Sequence, residues 1–446
     1  MKPIQPDVPP RSTLIARRTF LKRSTALLAG AALPQILPSG ILAQGGRPGA
    51  NDRIGVGLIG MGRQMGGLLK GLLGRPEARL IAVADVNLNR AKKVATEHEA
   101  AAFQDYRRLL ERKDVDAVMT ATPEHWRLLI CVHSCQAGKD VYAEKPLTLT
   151  IREGRLITQA ARKYNRVFQV GSQQRSTWQN YSGCKLIREG GLGKISKVIA
   201  YNYPSPWEGK LPAQSVPEGL DWDMWCGPVE PVPYHQDLYL PRANPGWLSF
   251  RSFSGGEMTG WGAHGLDQIQ WALGMDESGP VEVWTEGEKF NPPTYTQPES
   301  SERGKSMAGR TKVFFRYANG ITVVPGKASM GGAVFVGEKG TATIGRGVFE
   351  SDPEELAIEA LRNHPQDFND NHIKNWLDCI KSRTRPAADV ETGHRSATMC
   401  HLGNIARWTG RKLRWDPVKE EFVGDKQANQ YLDRERRKPW VAPDQI

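Results

Sequence analysis

Long hydrophobic runs are missing from this 446-residue sequence. No segment reaches the roughly 20 apolar residues that a mature transmembrane helix needs, so we predict no integral membrane domain. The six cysteines include no C-x-x-C pair, which disfavours a zinc ribbon and a dithiol redox motif. On a helix, Cys131 and Cys135 would share one face while His133 points elsewhere. We therefore interpret them as buried free thiols and predict no metal site.

A basic helix with interleaved aromatic residues is also absent. The formal net charge is +12, but the basic residues are spread along the chain, apart from a cluster at Arg434, Arg436, Arg437 and Lys438. This indicates a solvated surface and no nucleic-acid partner. Hydrophobic residues make up 39% and charged residues 24% of the chain, a balance typical of globular proteins. The length suggests about two to three domains.

The N-terminus has the pattern of an export signal. Arg17-Arg18-Thr19-Phe20-Leu21-Lys22 is a twin-arginine motif, and residues 24–43 are rich in Ala, Leu and Gly. We predict a signal peptide over residues 1–43 and a linker over 44–52. The protein is then expected in the periplasm, exported in its folded form by the twin-arginine pathway.

The first segment after the linker predicts a dinucleotide-binding fold. Residues 53–59 form an apolar run that leads into Gly60-Met61-Gly62 and then into a helical pattern. Glycines let the backbone approach a pyrophosphate, and the first N–H groups of the helix are free to bind it. The third glycine of a full G-x-G-x-x-G motif is replaced by Met65, so this motif is weak by itself.

Asp85 strengthens the prediction, because it ends a second strand over residues 80–84. A carboxylate at this place accepts hydrogen bonds from both ribose hydroxyls and repels a 2′-phosphate. The expected cofactor is therefore NAD rather than NADP.

Strands and helices then alternate through residue 170. Strands are predicted over 117–121, 140–143 and 167–170, with helices over 124–137 and 151–164 between them. This alternation predicts a doubly wound parallel sheet over residues 53–170. Residues at the strand ends would then form the site, namely Thr122, Pro123, Glu144, Lys145, Gln173 and Gln174.

Three motifs together resemble the Gfo/Idh/MocA family of oxidoreductases (glucose–fructose oxidoreductase and inositol dehydrogenase are examples). They are Gly57-Leu-Ile-Gly60-Met-Gly62, Ala121-Thr-Pro-Glu-His-Trp126 and Ala143-Glu-Lys-Pro-Leu147, in this order. The resemblance covers nearly all of the chain after the signal. It implies a Rossmann domain followed by an α/β domain over residues 171–446 with an open, mostly antiparallel sheet. The implied cofactor contacts are Gly60, Gly62, Arg63, Gln64, Asp85, Thr122, Pro123, His125, Glu144, Lys145 and Gln173.

The same resemblance implies two catalytic residues. Lys145 matches the family's active-site lysine, and His264 matches the histidine that commonly accepts the proton. Many members carry an aspartate four residues before this histidine, where this chain has Gly260. Oxidation of an alcohol needs a base, for which histidine is suited, and an ammonium group stabilises the developing alkoxide.

The second domain offers candidate sugar contacts. Seven of the 13 tryptophans lie between residues 178 and 271, and Trp261 stands out because it is three residues from His264. Aromatic rings pack on the apolar faces of sugars. We expect Gln174, Arg175, Trp261 and Arg251 to bind substrate, and residues 204–247 to form a long loop over the site. Further predictions for this domain are an exposed loop over 286–310, helices over 366–382 and 394–408, and strands over 281–284, 311–317, 321–324, 333–336 and 341–344. The tail from residue 426 is expected to wrap a partner subunit in a homo-oligomer, a dimer or a tetramer.

Export limits the possible reactions. Free NAD pools are cytoplasmic, so an enzyme exported in its folded form has to carry its cofactor and recycle it. The first hypothesis is an oxidoreductase that acts on a sugar or cyclic polyol with tightly bound NAD. The second is a redox-neutral NAD-dependent glycoside hydrolase, for which the glycine at position 260 leaves room. The third is a sugar-binding or sensing protein without catalysis.

Overall fold

The computed structural model describes residues 52–239, 246–292, 294–296, 311–363, 365, 368–442 and 446. The predicted signal peptide and nearly all of the predicted linker lie outside these residues. Residues 53–446 form one unit, which contains two large β-sheets.

The strands, in chain order, are β1 (Ile54–Ile59), β2 (Ala78–Ala84), β3 (Ala101–Phe103), β4 (Ala117–Thr120), β5 (Asp140–Ala143), β6 (Phe168–Val170), β7 (Ile195–Ala200), β8 (Glu208–Gly209), β9 (Glu282–Gly287), β10 (Thr294–Tyr295), β11 (Thr311–Arg316), β12 (Thr322–Pro325), β13 (Ala333–Gly337), β14 (Gly340–Gly345), β15 (Val348–Asp352), β16 (Leu413–Asp416) and β17 (Glu421–Phe422).

The helices are α1 (Arg63–Leu73), α2 (Leu88–Glu97), α3 (Tyr106–Leu110), α4 (Glu124–Gln136), α5 (Ile151–Lys163), α6 (Trp178–Arg188), α7 (Trp222–Cys226), α8 (Gln236–Tyr239), α9 (Glu257–Gly260), α10 (Gly262–Ala272), α11 (Glu355–Arg362), α12 (His372–Ser382), α13 (Val390–Thr409) and α14 (Lys426–Asn429). Short 3₁₀ helices cover Gln173–Ser176, Trp247–Ser249 and Gln430–Leu432.

The first sheet is parallel and has the strand order β3-β2-β1-β4-β5-β6. Every residue of β1 is buried, as expected for a central strand covered by helices on both faces. One face packs on α4 and α5, and the other packs on α1 and on α12 from the second half of the chain. The strand order reverses between β1 and β4, which is where such sheets bind ligands. The predicted Rossmann sheet is confirmed.

The second sheet has nine strands in the order β15-β14-β13-β7-β12-β11-β9-β16-β17. Its pairings are antiparallel, except that β7 pairs in parallel with β12. Helices α10 and α13 cover this sheet, and their buried side chains join its core. The predicted open, mostly antiparallel sheet is therefore confirmed, although the sequence analysis did not predict its internal strand β7.

Two helix predictions in the second half need correction. The helix predicted over 366–382 begins at His372, because the side chain of Asn371 accepts a hydrogen bond from the backbone N–H of Lys374 and caps it. The helix predicted over 394–408 begins earlier, at Val390, where Asp389 provides the cap. The segment 286–310, predicted as an exposed loop, includes the end of β9 and strand β10, and residues 297–310 lie outside the described residues.

The C-terminal tail packs on helices of its own chain. Arg434 and Arg436 both form ion pairs with the buried carboxylate of Glu153 on α5, with N–O distances of 2.9 and 3.0 Å. Trp440 meets Trp126 of α4 edge to face, with ring centroids 4.9 Å apart. These contacts place the tail, which was predicted to wrap a partner, against the first sheet's helices.

Two further predictions concern burial and membranes. All six cysteines are buried free thiols, which confirms the prediction made for Cys131 and Cys135. Among the described residues, none of the helices has the length and apolar character to cross a membrane.

Candidate active site

The glycine turn after β1 is shaped to meet a ligand. Gly60 has a φ of +85°, and a Cβ there would lie 2.7 Å from the Cγ2 atom of Thr122, so a side chain would be strained and crowded. A Cβ on Gly62 would instead meet nothing within 4 Å. Helix α1 begins at Arg63, and no side chain of Gly62 can cap its first N–H groups. These N–H groups are therefore placed to bind an anionic group of a ligand.

Asp85, at the end of β2, is hydrogen-bonded to the glycine turn. Its carboxylate accepts hydrogen bonds from the backbone N–H of Met61 at 2.6 Å and of Asn87 at 2.7 Å. Burial raises the pKa of Asp85 above its ordinary value, and the two backbone hydrogen bonds oppose this rise. The carboxylate thus orders the turn and also faces the adjoining cavity.

That cavity has a volume of about 720 Å³. The sequence-predicted residues Gly60, Gly62, Asp85, Thr122 and Pro123 line it. The other lining residues come from the strand ends, from α2 to α4 and from the 204–247 segment: Ile59, Ala84, Val86, Arg90, Gln104, Tyr106, Ala121, Trp126, Ile130, Met224, Trp225, Tyr239 and Trp247.

A second cavity of about 1220 Å³ adjoins the first. The two share Gly62, Ala121, Thr122 and Trp247, and together we call them the cleft. The remaining residues of the second cavity include the predicted residues Arg63, Gln64, Glu144, Lys145 and Trp261, and also Arg127, Pro146 and Leu248. The cleft therefore runs from Asp85 at one end to Lys145 and Trp261 at the other.

Glu144 connects three parts of the cleft. Its Oε1 accepts hydrogen bonds from the side-chain amides of Gln64 at 3.0 Å and of Gln173 at 2.7 Å, and its Oε2 accepts one from the backbone N–H of Lys145 at 3.1 Å. The Gln173 amide also lies 3.1 Å from the hydroxyl oxygen of Tyr142. Glu144 is buried and holds these groups in place.

Lys145 joins the first sheet to the second half of the chain. Its Nζ donates a hydrogen bond to the carbonyl oxygen of Gly260, at 3.3 Å, and the Lys145–Pro146 peptide bond is cis. Gly260 ends α9 and lies four residues before His264 on α10. The lysine is thus brought to the turn that precedes the predicted histidine.

His264 lies in the first turn of α10 and is 4% exposed. Its ring centroid is 5.6 Å from that of Trp261, and its backbone N–H donates to the Trp261 carbonyl at 2.9 Å. The histidine ring therefore lies next to a residue that lines the Lys145 end of the cleft.

Six predicted residues lie outside the cleft lining: Gln173 and His264, described above, and His125, Gln174, Arg175 and Arg251. The Nε2–H group of His125 donates a hydrogen bond to the Trp225 carbonyl, 2.9 Å away, and burial lowers the pKa of His125 to about 3. The remaining three are predicted substrate contacts that have partners within the second half of the chain. Gln174 donates to the Gly331 carbonyl at 2.9 Å, Arg175 forms buried ion pairs with Asp267 and Asp276 at 2.8 Å, and Arg251 stacks 4.2 Å from the Trp408 ring centroid.

The structure adds residues that the sequence analysis did not select. Trp225, Tyr239 and Trp247 come from the predicted loop. All three line the cavity at the Asp85 end of the cleft, where a nucleotide base and ribose would lie, and Trp247 lines the second cavity as well. Arg90 stacks on Tyr239, with the guanidinium 4.6 Å from the ring centroid. The cluster of aromatic residues in the loop was a signal for a ligand, but only the fold shows which end of the cleft they line.

Arg127 is a further addition and tests whether a dinucleotide fits. It is 2% exposed and lines the cleft, and its Nη2 donates to the Thr122 carbonyl at 2.7 Å. Its Nε and Nη1 atoms are buried without a hydrogen-bond partner among the described residues. A buried cation beside uncapped helix N–H groups is complementary to an anionic ligand, so the cleft fits a dinucleotide. Among the described residues, no group of three His, Cys, Asp or Glu side chains is arranged to hold a metal ion.

Both domains of this chain match models of one known protein family. Residues 54–172 match the family model for the oxidoreductase NAD-binding Rossmann fold, and residues 184–442 match the model for the C-terminal alpha/beta domain of the same family. The chain belongs to the Gfo/Idh/MocA oxidoreductase family. Its first domain is therefore an NAD-binding Rossmann domain, and the resemblance drawn from the three motifs is confirmed.

Members of the Gfo/Idh/MocA family that resemble this chain differ in their reactions. A scyllo-inositol 2-dehydrogenase (NAD(+)) of Bacillus subtilis is 25% identical over 240 residues, which cover 54% of this chain and 62% of the relative. A glycosyl hydrolase family 109 protein of Saccharopolyspora erythraea is 30% identical over 164 residues, 32% of this chain and 36% of the relative. The chain thus spans less than two-thirds of either relative.

A solved structure of low sequence identity shares the fold. The WlbA dehydrogenase from Bordetella pertussis, in complex with NADH and UDP-GlcNAcA, superimposes with a TM-score of 0.58 at 17% identity, covering 82% of this chain and 99% of that one.

Proposed function

We propose that this protein is an exported oxidoreductase that oxidises a secondary alcohol of a sugar or cyclic polyol and keeps its NAD tightly bound. The observation that carries the proposal is the position of Lys145. Its ammonium group lies at the far end of a cleft whose other end carries Asp85, and it contacts the turn that leads to His264.

The residues of the cleft would divide the work as follows. The bound nicotinamide supplies a hydride acceptor. Gly60, Gly62 and the first turn of α1 hold the phosphates, and Asp85 accepts hydrogen bonds from a ribose and selects NAD over NADP. Lys145 stabilises the negative charge that develops on the alcohol oxygen, and the His264 imidazole takes the proton. Trp261 provides a flat apolar wall for the sugar ring.

A redox-neutral glycoside hydrolase is the second candidate function. The similarity to a glycosyl hydrolase family 109 protein favours it. In that reaction a ketone formed transiently on the sugar acidifies the neighbouring C–H group, a glycosidic substituent is eliminated, and water addition and re-reduction complete the cycle. Both functions need Lys145 and bound NAD, and they differ in whether a glycosidic bond breaks.

The first experiment is the ultraviolet spectrum of purified, undialysed protein, followed by denaturation and identification of the released nucleotide. We expect NAD or NADH in near-stoichiometric amount. The loaded protein is then incubated with D-glucose, D-galactose, N-acetyl-D-glucosamine, myo-inositol, scyllo-inositol and p-nitrophenyl glycosides. A change in cofactor absorbance indicates oxidation, and released p-nitrophenol indicates cleavage.

Variants then separate an enzyme from a binding protein. Lys145→Ala and His264→Ala are expected to lose hydride transfer while retaining the nucleotide, and Lys339→Ala and His98→Ala serve as controls outside the cleft. A wild-type protein that binds NADH and a sugar but transfers no hydride would instead be the non-catalytic sugar-binding protein.

Export and assembly are tested separately. We propose that residues 1–43 direct twin-arginine export to the periplasm, so a double change of Arg17 and Arg18 to lysine should leave the protein in the cytoplasm. We also propose that the protein is a homo-oligomer, to be measured by light scattering of the purified chain.

A further inference from the structure

The segment of residues 217–239, which we call the strap, lies against the Asp85 end of the cleft. Three of its residues, Met224, Trp225 and Tyr239, line the cavity at that end. The first domain contributes Asp85 and the glycine turn to the same cavity. A ligand that fills this cavity therefore contacts both the first domain and the strap.

The start of the strap is paired with the loop between β2 and α2. The backbone N–H of Leu88 donates to the Gly219 carbonyl, and the backbone N–H of Asp221 donates to the Val86 carbonyl, both at 2.9 Å. The side-chain amide of Gln104 donates to the same two carbonyls, at 3.3 Å and 3.0 Å. These bonds attach the strap to the segment that follows β2.

The last residue of the strap, Tyr239, is held by the same loop. Its hydroxyl oxygen accepts a hydrogen bond from the side-chain amide of Asn87 at 3.1 Å, and the Arg90 guanidinium lies 4.6 Å from its ring centroid. The backbone N–H of Asn87 in turn donates to the carboxylate of Asp85. Tyr239 is thus connected, through one residue, to the carboxylate that would select NAD.

Helix α7 lies within the strap and packs on α4 of the first domain. A helix leaves its last carbonyl groups without partners inside the helix. The indole N–H of Trp126 on α4 lies 3.0 Å from the carbonyl oxygen of Met224 and 3.1 Å from that of Trp225. Gly227 follows the helix with a φ of +52°, and a Cβ there would lie 2.3 Å from the Trp126 ring. The glycine therefore permits this close contact.

The C-terminal tail binds α7 and the turn after it through Arg437. Its Nη2 donates to the Asp223 carbonyl at 2.8 Å and forms an ion pair with the Asp223 carboxylate at 2.9 Å, and its Nε donates to the Val229 carbonyl at 3.0 Å. Its backbone N–H donates to the Pro228 carbonyl at 3.2 Å. A cation at this place satisfies carbonyls near a helix C-terminus. Arg437 itself lines neither cavity of the cleft.

We propose that the strap encloses the adenosine half of bound NAD, and that Arg437 is a positioning residue that keeps the strap in place and so slows the release of the cofactor. This inference rests on the proposed function, in which the exported protein carries its NAD. Trp225 and Tyr239 offer flat apolar surfaces to the adenine ring. The strap has to separate from the first domain before the nucleotide can leave, so contacts outside the cleft contribute to the affinity.

The rate of NADH release tests the role of Arg437. Protein loaded with NADH is mixed with an excess of NAD⁺ in a stopped-flow instrument, and the loss of tryptophan-sensitised NADH fluorescence gives the rate. Arg437→Ala should release NADH about 10- to 100-fold faster, because charge-assisted hydrogen bonds to the strap are lost. Its association rate should not fall, since a loosened strap does not obstruct entry. Lys438→Ala, at the exposed neighbour in the tail, is the matched control.

Two further variants and a fragment separate a loosened strap from a folding defect. Tyr239→Ala removes a contact at the other side of the strap together with part of the cavity wall, and should speed release by about tenfold. Arg437→Lys keeps the charge but cannot bond to both carbonyls at once, so its release rate should be intermediate. ADP-ribose contains the adenosine half without the nicotinamide, and its affinity for Arg437→Ala should fall by the same factor as that of NADH.

The outcomes distinguish the two proposals. Release of NADH at the wild-type rate from both Arg437→Ala and Tyr239→Ala would overturn the role of the strap and leave the proposed function intact. A slower association with unchanged release in Arg437→Ala would also overturn that role. Faster release from both variants of a protein that oxidises no panel compound would support the strap and overturn the proposed oxidoreductase.

Discussion

Asp85 and Met61 are joined by a hydrogen bond of 2.6 Å, from the Met61 backbone N–H to the Asp85 carboxylate. The residue that would choose the cofactor therefore also shapes the glycine turn that would bind its phosphates. Asp85→Ala should lower the affinity for NADH by about tenfold or more and raise the NADPH-to-NADH affinity ratio, because both a hydrogen-bond acceptor and a repulsive charge are removed.

Fluorescence titration of apo-protein with NADH and NADPH measures both affinities, and Glu97→Ala on the exposed part of α2 is the control. An unchanged ratio would contradict the selection of NAD by Asp85.

Glu144 should act as a positioning residue for Lys145. In Glu144→Gln, one carboxylate oxygen becomes an NH₂ group, which cannot accept from the Lys145 N–H or from the Gln64 and Gln173 amides. We expect a loss of about 1–3 kcal/mol in the free energy of unfolding and a fall in kcat larger than the rise in KM.

Chemical denaturation and steady-state kinetics measure the two effects. Equal kcat in the variant and the wild type would show that the Lys145 position does not depend on this network.

Arg175 should contribute to stability rather than to substrate affinity. Its guanidinium is 2% exposed at the side chain and pairs with Asp267, which is 1% exposed. Arg175→Met leaves the Asp267 charge buried with one partner fewer and should reduce the free energy of unfolding by roughly 3–5 kcal/mol.

Thermal and urea unfolding measure this loss, and substrate affinity of the remaining folded protein is the second measurement. A stable variant with a raised substrate Kd would restore the original prediction that Arg175 binds substrate.

Glu124 should make stability depend on pH near neutrality. Burial raises its pKa from the ordinary 4.5 to about 7. Between these two values the folded state holds a proton that the unfolded state has released, so this group's contribution favours folding below about pH 4.5 and is lost as the pH rises through 7.

The free energy of unfolding of Glu124→Gln minus that of the wild type should therefore rise by roughly 1–3 kcal/mol between pH 5 and pH 8. Urea titrations of both proteins at several pH values provide the comparison. A difference that stays constant with pH would contradict a raised pKa of Glu124.

The local patterns were enough to predict much of the first domain. Apolar runs that end at Gly60, at Asp85 and at Lys145 identify strand ends, and parallel strands place their carboxyl ends at one edge of the sheet. The cleft therefore contains most of the predicted cofactor residues. Internal strand β7 escaped prediction because the two exposed polar residues in its sequence, ISKVIA, are adjacent and break the alternation of apolar and polar positions.

The substrate side depended on contacts between distant segments. The sequence shows that Arg175, Gln174 and Arg251 are polar and lie in or next to predicted loops. Whether each side chain faces a ligand depends on the residues that it contacts in the folded chain. Asp267 is 92 residues from Arg175, and Trp408 is still farther from Arg251 along the chain. Such pairings are set by packing between elements, which no local pattern encodes.

By itself, the sequence determined the family, the parallel first sheet, the glycine turn with Asp85, and the candidates Lys145 and His264, because each depends on short-range periodicity or on a contiguous motif. Only the tertiary structure decided that Lys145 meets Gly260, that Arg437 of the tail meets Val229 in the strap, and that Arg175 is committed to Asp267. These relationships join residues 92 or more positions apart, so they arise only when the two sheets and their helices are packed together.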